Sequence, residues 1–125
     1  MILADTSIWI EMLAGRIRPV KDRDVPGLAT CGPVIQEVLQ GLRPGPASEA
    51  FREGFLALTI VSDPVPLDLY LSAADIYRRG RIKGITIRSG VDCLIAAIAI
   101  HNAIPVWHRD RDFDAIARYT GLETV

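Results

Sequence analysis

The sequence predicts an α/β fold, in which a parallel sheet carries helices on both faces. Short apolar runs alternate along the chain with longer amphipathic runs, an alternation typical of strands joined by helical crossovers. The stretch from Val91 to Ile100 is apolar at every position except Asp92, which indicates a helix buried on all sides. A run of about ten residues is too short to cross a membrane, which takes ~20. We therefore expect this run to be the central core helix.

The composition is that of one domain spanning residues 1–125. The chain has 125 residues, half of them hydrophobic, which is enough for a real core. Its 14 basic and 15 acidic residues nearly cancel, so the net charge predicts no partner. Cys31 and Cys93 lie in apolar surroundings without C-x-x-C spacing and are expected to be buried free thiols. The N-terminus lacks the pattern of a signal peptide, so we expect a cytoplasmic protein.

In the first half of the chain we predict two strands and three helices. Residues 2–4 form a strand, and a sharp turn leads into a helix over residues 8–14 that is capped by Thr6 or Ser7. Charge and proline make residues 16–27 a loop, followed by a strand over 28–31. Pro33 suits the first turn of a helix to residue 42, with Glu37 on the edge of its apolar arc. A further helix is expected over residues 47–58.

The second half continues the alternation. We predict a strand over residues 59–61, an amphipathic helix over 67–79, the central helix over 89–102 and a strand over 104–107. A short helix over 110–119 and a final edge strand over 122–125 follow. Ser89 and Asp92 approximate a capping box at the start of the central helix.

Acidic residues recur at the predicted junctions between strands and helices. Sites in parallel α/β sheets form at the carboxyl ends of the strands, where the sequence places Asp5, Asp92 and the Asp110/Asp112 pair, with Glu37 on a helix edge. Each has a local explanation, because Asp5, Asp92 and Asp110 can cap helices and Glu37 can be an ordinary surface acid.

Together, these carboxylates predict a metal centre. Converging carboxylates raise one another's pKa unless a cation neutralises them, and a site of hard oxygen ligands favours Mg²⁺ or Mn²⁺. One or two such ions support phosphodiester hydrolysis by an activated water. Thr6 and Ser7 are expected to hold Asp5 by hydrogen bonds.

Two basic segments are candidates for binding a nucleic acid. An acidic cleft repels a phosphate backbone, so a nucleic-acid substrate needs a positive rim. Residues 16–23 and 78–88 are rich in basic residues, and the alternative is that both are solvated faces. The candidates for RNA binding are Arg16, Arg18, Arg78, Arg79, Arg81, Lys83 and Arg88.

Four short motifs, in order along the chain, resemble those of the PIN-domain ribonucleases, and most of all the VapC-type toxins of bacterial toxin–antitoxin pairs. They are Asp5-Thr6-Ser7, Glu37 within residues 34–41, Asp92 within residues 91–97, and Asp110-Arg111-Asp112-Phe113. The resemblance implies a three-layer α/β/α sandwich around a mostly parallel sheet, a Mg²⁺ or Mn²⁺ site and endonuclease action on RNA. It also implies a homodimer and inhibition by a VapB-like antitoxin, whose tail crosses the acidic cleft.

The resemblance also assigns roles to individual residues. It makes Asp5, Glu37, Asp92 and Asp110 the catalytic acids, and Asp5, Asp92, Asp110 and Asp112 the metal ligands, with either Asp110 or Asp112 in direct contact. A hydroxyl residue often precedes the last motif in relatives, whereas here His108 and Arg109 precede it. We assign neither His101 nor His108 to catalysis.

Other interpretations make different predictions. Aspartyl-phosphate chemistry, as in receiver domains or haloacid-dehalogenase-like phosphatases, fits poorly: it needs a late lysine, and the only lysines are Lys21 and Lys83. A non-catalytic PIN-like module would lack one or more of the acids. A housekeeping PIN nuclease without an antitoxin stays open. Four residues of the 67–79 helix form a stripe that suits either a dimer interface or core packing: Leu67, Leu71, Ala74 and Ile76.

Overall fold

In the computed structural model, the described residues are 1–18 and 27–125, and they form four strands and six helices. Part of the predicted 16–27 loop, including Lys21 and Arg23, lies outside the described residues. The elements run in the order β1 (Ile2–Ala4), α1 (Thr6–Leu13), β2 (Leu28–Thr30), α2 (Gly32–Gln40), α3 (Pro46–Leu56), β3 (Thr59–Ile60), α4 (Leu67–Ile82), α5 (Gly90–His101), β4 (Val106–Trp107) and α6 (Arg111–Ala117).

The sheet is parallel throughout and has the strand order β3-β2-β1-β4. Leu3 in β1 pairs with Ala29 on one side and with Val106 on the other, and all three are fully buried. Strands buried in this way need helices on both faces, so the predicted α/β sandwich is confirmed. The order reverses beside β1, since β2 and β3 continue on one side and β4 lies on the other. A crevice is expected at such a switch point.

The predicted central helix is confirmed as α5. Its residues from Ile95 to Ala99 are all buried, and it packs against α4, α6 and α2. Helix α4 extends to Ile82, beyond the predicted end at residue 79. At Gly80 in α4, an added Cβ would lie 2.6 Å from the Tyr119 hydroxyl, so the absence of a side chain there lets the segment after α6 pack closely.

Three sequence predictions about element ends are wrong. Asp5, not Thr6 or Ser7, caps α1, because its carboxylate accepts a hydrogen bond from the Ile8 N–H. Ser89 occupies the N-cap position of α5 without a side-chain capping hydrogen bond, so the capping box with Asp92 does not form. The final edge strand is reduced to a single parallel bridge between Val106 and Thr124.

Strand β4 begins later than predicted. The Ile104 N–H bonds to the Ala99 carbonyl at 3.0 Å, and Ala103 has a φ of 54°, so these residues still belong to the turn that ends α5.

The predicted apolar stripe on α4 is divided between core and surface. Ile76 packs in the core at 5% exposure, whereas Leu67 and Leu71 are 70% and 56% exposed. Only the exposed members of the stripe are accessible to a partner.

Candidate active site

The carboxyl ends of the parallel strands bring the acidic residues to one edge of the sheet. Asp5 directly follows β1, and Asp110 follows β4 after a two-residue connection. Glu37 comes from α2, the helix that follows β2, and Asp92 comes from the first turn of α5. These are the elements on either side of the switch point, where ligand sites of α/β sheets form.

Three carboxylates form a compact group at this edge. One oxygen from each of Asp92, Asp110 and Asp112 lies within 4.8 Å of the others, and we call this set the three-carboxylate group. Asp112 is buried, and the other two are partly exposed. Clustered carboxylate oxygens are the ligands that small hard cations such as Mg²⁺ and Mn²⁺ prefer, so the donor set fits the expected metal.

Arg88 holds two members of the group in place. Its guanidinium donates to Asp110 Oδ1 at 3.0 Å and to Asp112 Oδ2 at 3.2 Å, and its backbone N–H also donates to Asp112 Oδ2 at 3.1 Å. Asp110 Oδ1 additionally accepts the Asp112 N–H at 2.9 Å, which caps α6. These contacts engage one oxygen of each carboxylate and bring a positive charge to the group.

Asp92 has no comparable support. Burial, followed by the negative charges of Asp110, Asp5, Glu37 and Asp112, raises the pKa of Asp92 to about 7. Among residues 1–18 and 27–125, no donor hydrogen-bonds to its carboxylate. Within the three-carboxylate group, Asp92 therefore gains most from a bound cation, since a cation restores its charged form.

Asp5 is a buried carboxylate beside the group, not a member of it. Its Oδ1 accepts the Ser7 hydroxyl at 2.6 Å and the Ile8 N–H at 3.2 Å. Ser7 Oγ in turn accepts the Arg109 N–H at 3.0 Å, which ties the connection after β4 to the turn after β1. Burial raises the pKa of Asp5 despite these hydrogen bonds.

The two hydroxyl residues of the first motif serve different acids. Ser7 holds Asp5 as expected, but the Thr6 hydroxyl donates to Glu37 Oε1 at 3.0 Å. Glu37 therefore faces the β1 end from α2, and its charge contributes to the raised pKa of Asp92. Ser89, the other expected supporting residue, makes no side-chain cap contact.

The predicted basic residues divide among several places. Arg88 lies on the three-carboxylate group, Arg16 pairs with Glu11 at 2.9 Å, and the Arg79 guanidinium donates to the Tyr119 carbonyl at 2.6 Å. The remaining four are exposed, and two of them, Arg78 and Arg81, line a cavity of about 350 Å³ with Ile82: Arg18, Arg78, Arg81 and Lys83. Among the described residues, the predicted basic side chains therefore lie in several separate places, and their role in binding RNA stays a prediction.

Sequence reasoning missed two arginines beside the acids. Arg109 and Arg111 line an open cavity of about 500 Å³ together with Ser7, Arg88 and Asp110. The signal for them is the alternation of arginine and aspartate from Arg109 to Asp112.

The histidines and cysteines lie outside the three-carboxylate group. His108 Nδ1 accepts the Asp110 N–H at 3.1 Å, and its Nε2 lies 3.2 Å from Asp114, so the ring braces the start of α6. Both cysteines are buried and unbonded to each other, as expected, and burial raises the pKa of each thiol to about 11.

Comparison with known proteins first defines the class. The family model described as PIN domain matches residues 2–119. Two relatives are VapC ribonuclease Mb1587 of Mycobacterium bovis and ribonuclease VapC11 of Mycobacterium tuberculosis. Each is 36% identical to this chain, and the match covers 98% of the chain and 96% of the relative. The chain belongs to the VapC ribonucleases of the PIN-domain family.

Solved structures agree on the fold. The chain resembles VapBC2 of Rickettsia felis, bound to a DNA fragment from its promoter, with a TM-score of 0.76 and 17% identity over 100% of this chain and 98% of that one. It resembles VapBC-1 of nontypeable Haemophilus influenzae with a TM-score of 0.73 and 17% identity over 100% and 97%. Among the described residues, no helix is long and apolar enough to cross a membrane.

Proposed function

We propose that this chain is a Mg²⁺- or Mn²⁺-dependent endoribonuclease that hydrolyses RNA phosphodiester bonds and acts as the toxin of a toxin–antitoxin pair. The observation that supports the chemistry most directly is the convergence of Asp92, Asp110 and Asp112 within 4.8 Å at the sheet edge. Membership of the VapC ribonucleases supports RNA as the substrate. We treat residues 1–125 as a single PIN domain that works in the cytoplasm, where its RNA is found.

The acids take distinct roles in this proposal. Asp92, Asp110 and Asp112 would hold one or two ions, with Asp5 as a further ligand on the β1 side. A bound ion would activate water and stabilise the charge that develops on the phosphodiester. Ser7 fixes Asp5, and Thr6 engages Oε1 of Glu37, which leaves Glu37 Oε2 to accept a proton from the attacking water. Arg88 orients Asp110 and Asp112.

The partners follow from the family. The solved VapBC structures are complexes of related folds, so we propose a VapB-like antitoxin that covers the acidic edge. We also propose a homodimer, for which the exposed Leu67 and Leu71 of α4 supply apolar surface.

Cleavage of RNA by the purified chain tests the enzymatic proposal. We expect cleavage with Mg²⁺ or Mn²⁺, none in excess EDTA, and loss of cleavage in Asp92→Asn. The matched control is Asp68→Asn, an exposed aspartate in the first turn of α4. Cleavage that persists in EDTA contradicts the metal mechanism, and an active Asp92→Asn variant contradicts the site.

Induced expression in bacteria tests the toxin role. We expect growth arrest with the parent chain and with Asp68→Asn, and normal growth with Asp92→Asn. If all three arrest growth equally, toxicity does not come from this site. A chain that cleaves RNA in vitro without arresting growth would instead be a housekeeping nuclease.

A further inference from the structure

We infer that the open cavity beside the three-carboxylate group seats a backbone phosphate of the RNA strand, bound by Arg109 and Arg111. We call it the arginine cavity; its lining residues are Ser7, Arg88, Arg109, Asp110 and Arg111. The inference rests on the proposed function for the identity of the ligand, and it adds a binding site for part of the substrate that lies outside the metal ligands.

The charge and size of the cavity fit a phosphodiester. Three guanidinium groups and one carboxylate line the cavity. Because Arg88 is paired with Asp110 and Asp112, the positive charge of the lining comes from Arg109 and Arg111. Its volume of about 500 Å³ leaves room for a phosphate with its attached sugar. A strand that crosses the site is thus repelled at the bare acids and attracted beside them, which sets its position on the protein.

The three arginines are not equally available. Arg88 is engaged by Asp110 and Asp112 at 3.0 and 3.2 Å. Within the part of the chain that the structure describes, the one ion pair of Arg109 is with Glu11 at 3.6 Å, and Arg16 already binds Glu11 at 2.9 Å. The Arg109 side chain is 58% exposed. Arg111 is exposed and has no ion pair within residues 1–18 and 27–125. Arg109 and Arg111 can therefore turn their planar donor forks to phosphate oxygens.

The backbone beneath these side chains is fixed to the site. The Arg109 N–H donates to Ser7 Oγ, which also donates to Asp5 Oδ1. Arg111 is the first residue of α6, directly after the capping residue Asp110. The backbone of both arginines is therefore held close to the acids. A phosphate bound by their side chains would lie at a defined distance from the scissile bond.

Binding without cleavage tests this inference. The probe is a fluorescein-labelled single-stranded RNA oligonucleotide in EDTA, followed by anisotropy at several KCl concentrations with the full chain. We expect Arg109→Gln/Arg111→Gln to bind about tenfold more weakly or worse, since hydrogen bonds to charged groups are lost. The slope of log K against log salt should become shallower by about 0.7, because the contact with one single-strand phosphate is removed. The loss should be similar for unrelated RNA sequences.

Two further variants distinguish phosphate binding in the arginine cavity from a general loss of positive charge. Arg118→Gln removes an exposed arginine at the other end of α6 and should bind like the parent. Arg109→Lys/Arg111→Lys keeps both charges and should recover most of the salt slope. If the double glutamine variant binds like Arg118→Gln, the inference is wrong. The inference is also wrong if the double glutamine variant still binds RNA but no longer binds a hexaglutamate peptide, because the cavity is then a docking site for protein.

The outcome is independent of catalysis. If the parent chain binds the oligonucleotide through Arg109 and Arg111 but never cleaves RNA, the nuclease proposal is contradicted. The arginine cavity would still be a phosphate-binding site. If the double glutamine variant binds RNA at full strength while the parent cleaves RNA, the phosphate site in the arginine cavity is contradicted and the nuclease proposal stands.

Discussion

The starts of α5 and α6 contribute acids to the same group but are stabilised in opposite ways. At the start of α6, Asp110 caps the helix, and Arg88 binds both Asp110 and Asp112 through its guanidinium and Asp112 also through its backbone. At the start of α5, Ser89 makes no capping bond, and Asp92 is partly buried beside other negative charges. One side of the group is satisfied by the protein itself, and the other side is not.

This difference indicates how the site would recognise a cation. Arg88 and the backbone hold Asp110 and Asp112 in position before any ion arrives, so little ordering is left for binding to complete. Asp92 supplies the unmet electrostatic demand, because its pKa of about 7 reflects a charge that the fold does not neutralise. If the group binds a cation as proposed, Arg88 and the start of α6 would supply preorganised ligands, and Asp92 of α5 would supply the attraction for positive charge.

The largest expected effect is that of Asp92→Asn. Cleavage should fall by about 100-fold or more, because the ion's stabilisation is worth several kcal/mol and each 1.36 kcal/mol is tenfold. In EDTA at pH 8 the same variant should unfold at a higher temperature than the parent, since it removes a partly buried charge that neighbouring carboxylates repel. Initial rates and thermal unfolding check both. A variant less stable than the parent at pH 8 would show that Asp92 is satisfied by contacts in the fold.

The stability gain of Asp92→Asn should depend on pH. The raised pKa means that the folded chain holds this proton more tightly than the unfolded chain between about pH 4 and pH 7. The contribution of Asp92 to stability therefore falls as the pH rises through that window and stays low above it. The melting-temperature gap between Asp92→Asn and the parent should be wide at pH 8 and narrow at pH 4.5. Stabilisation of the parent by Mg²⁺ should follow the same trend, and a gap independent of pH would contradict the assignment.

Arg88→Gln should make α6 resemble α5. Without the guanidinium, Asp110 and Asp112 lose their counter-charge, so the metal-free chain should melt at a lower temperature. Mg²⁺ should then raise the melting temperature more than it does in the parent. Arg111→Gln, which removes an exposed arginine one residue from Asp110, is the control and should melt close to the parent. Equal melting temperatures for the two variants would mean that Arg88 does not stabilise the acids.

The smallest expected effect is that of Ser89→Ala. Because the Ser89 side chain makes no capping hydrogen bond, the free energy of unfolding should change by less than about 0.5 kcal/mol. A side-chain cap would instead contribute about 1 kcal/mol. Chemical denaturation distinguishes the two values, and a loss near the larger one would restore the capping role that the sequence predicts.

The parts of the fold that depend on local pattern were predictable. Alternating apolar runs indicated the parallel sheet. The uninterrupted apolar run after Asp92 indicated α5, because a helix that is buried on all sides has an apolar residue at nearly every position. Aspartates next to strand ends were found for the same reason. The gathering of Asp92, Asp110 and Asp112 agrees with the expected metal site, and their roles stay proposals until the variants are measured.

The contacts that set the electrostatics were not predictable. Arg88 belongs by sequence to a basic run, and its pairing with Asp110 and Asp112 depends on how α4 and α5 pack before β4 returns to the sheet. Thr6 and Ser7 are neighbours with similar side chains, yet one faces Glu37 and the other Asp5. Such choices are made by tertiary geometry, which no local pattern records.

The strand order has a consequence for the chain during its synthesis. β1 is made first but pairs with β4, and Ser7 accepts its hydrogen bond from Arg109, about a hundred residues later in the chain. Asp5, Glu37 and Asp92 are all added to the growing chain before Asp110 and Asp112. A growing chain therefore carries an incomplete set of acids through most of translation. If the chain cuts RNA as proposed, the ribosome that makes it is exposed to the finished site only after residue 112 has emerged.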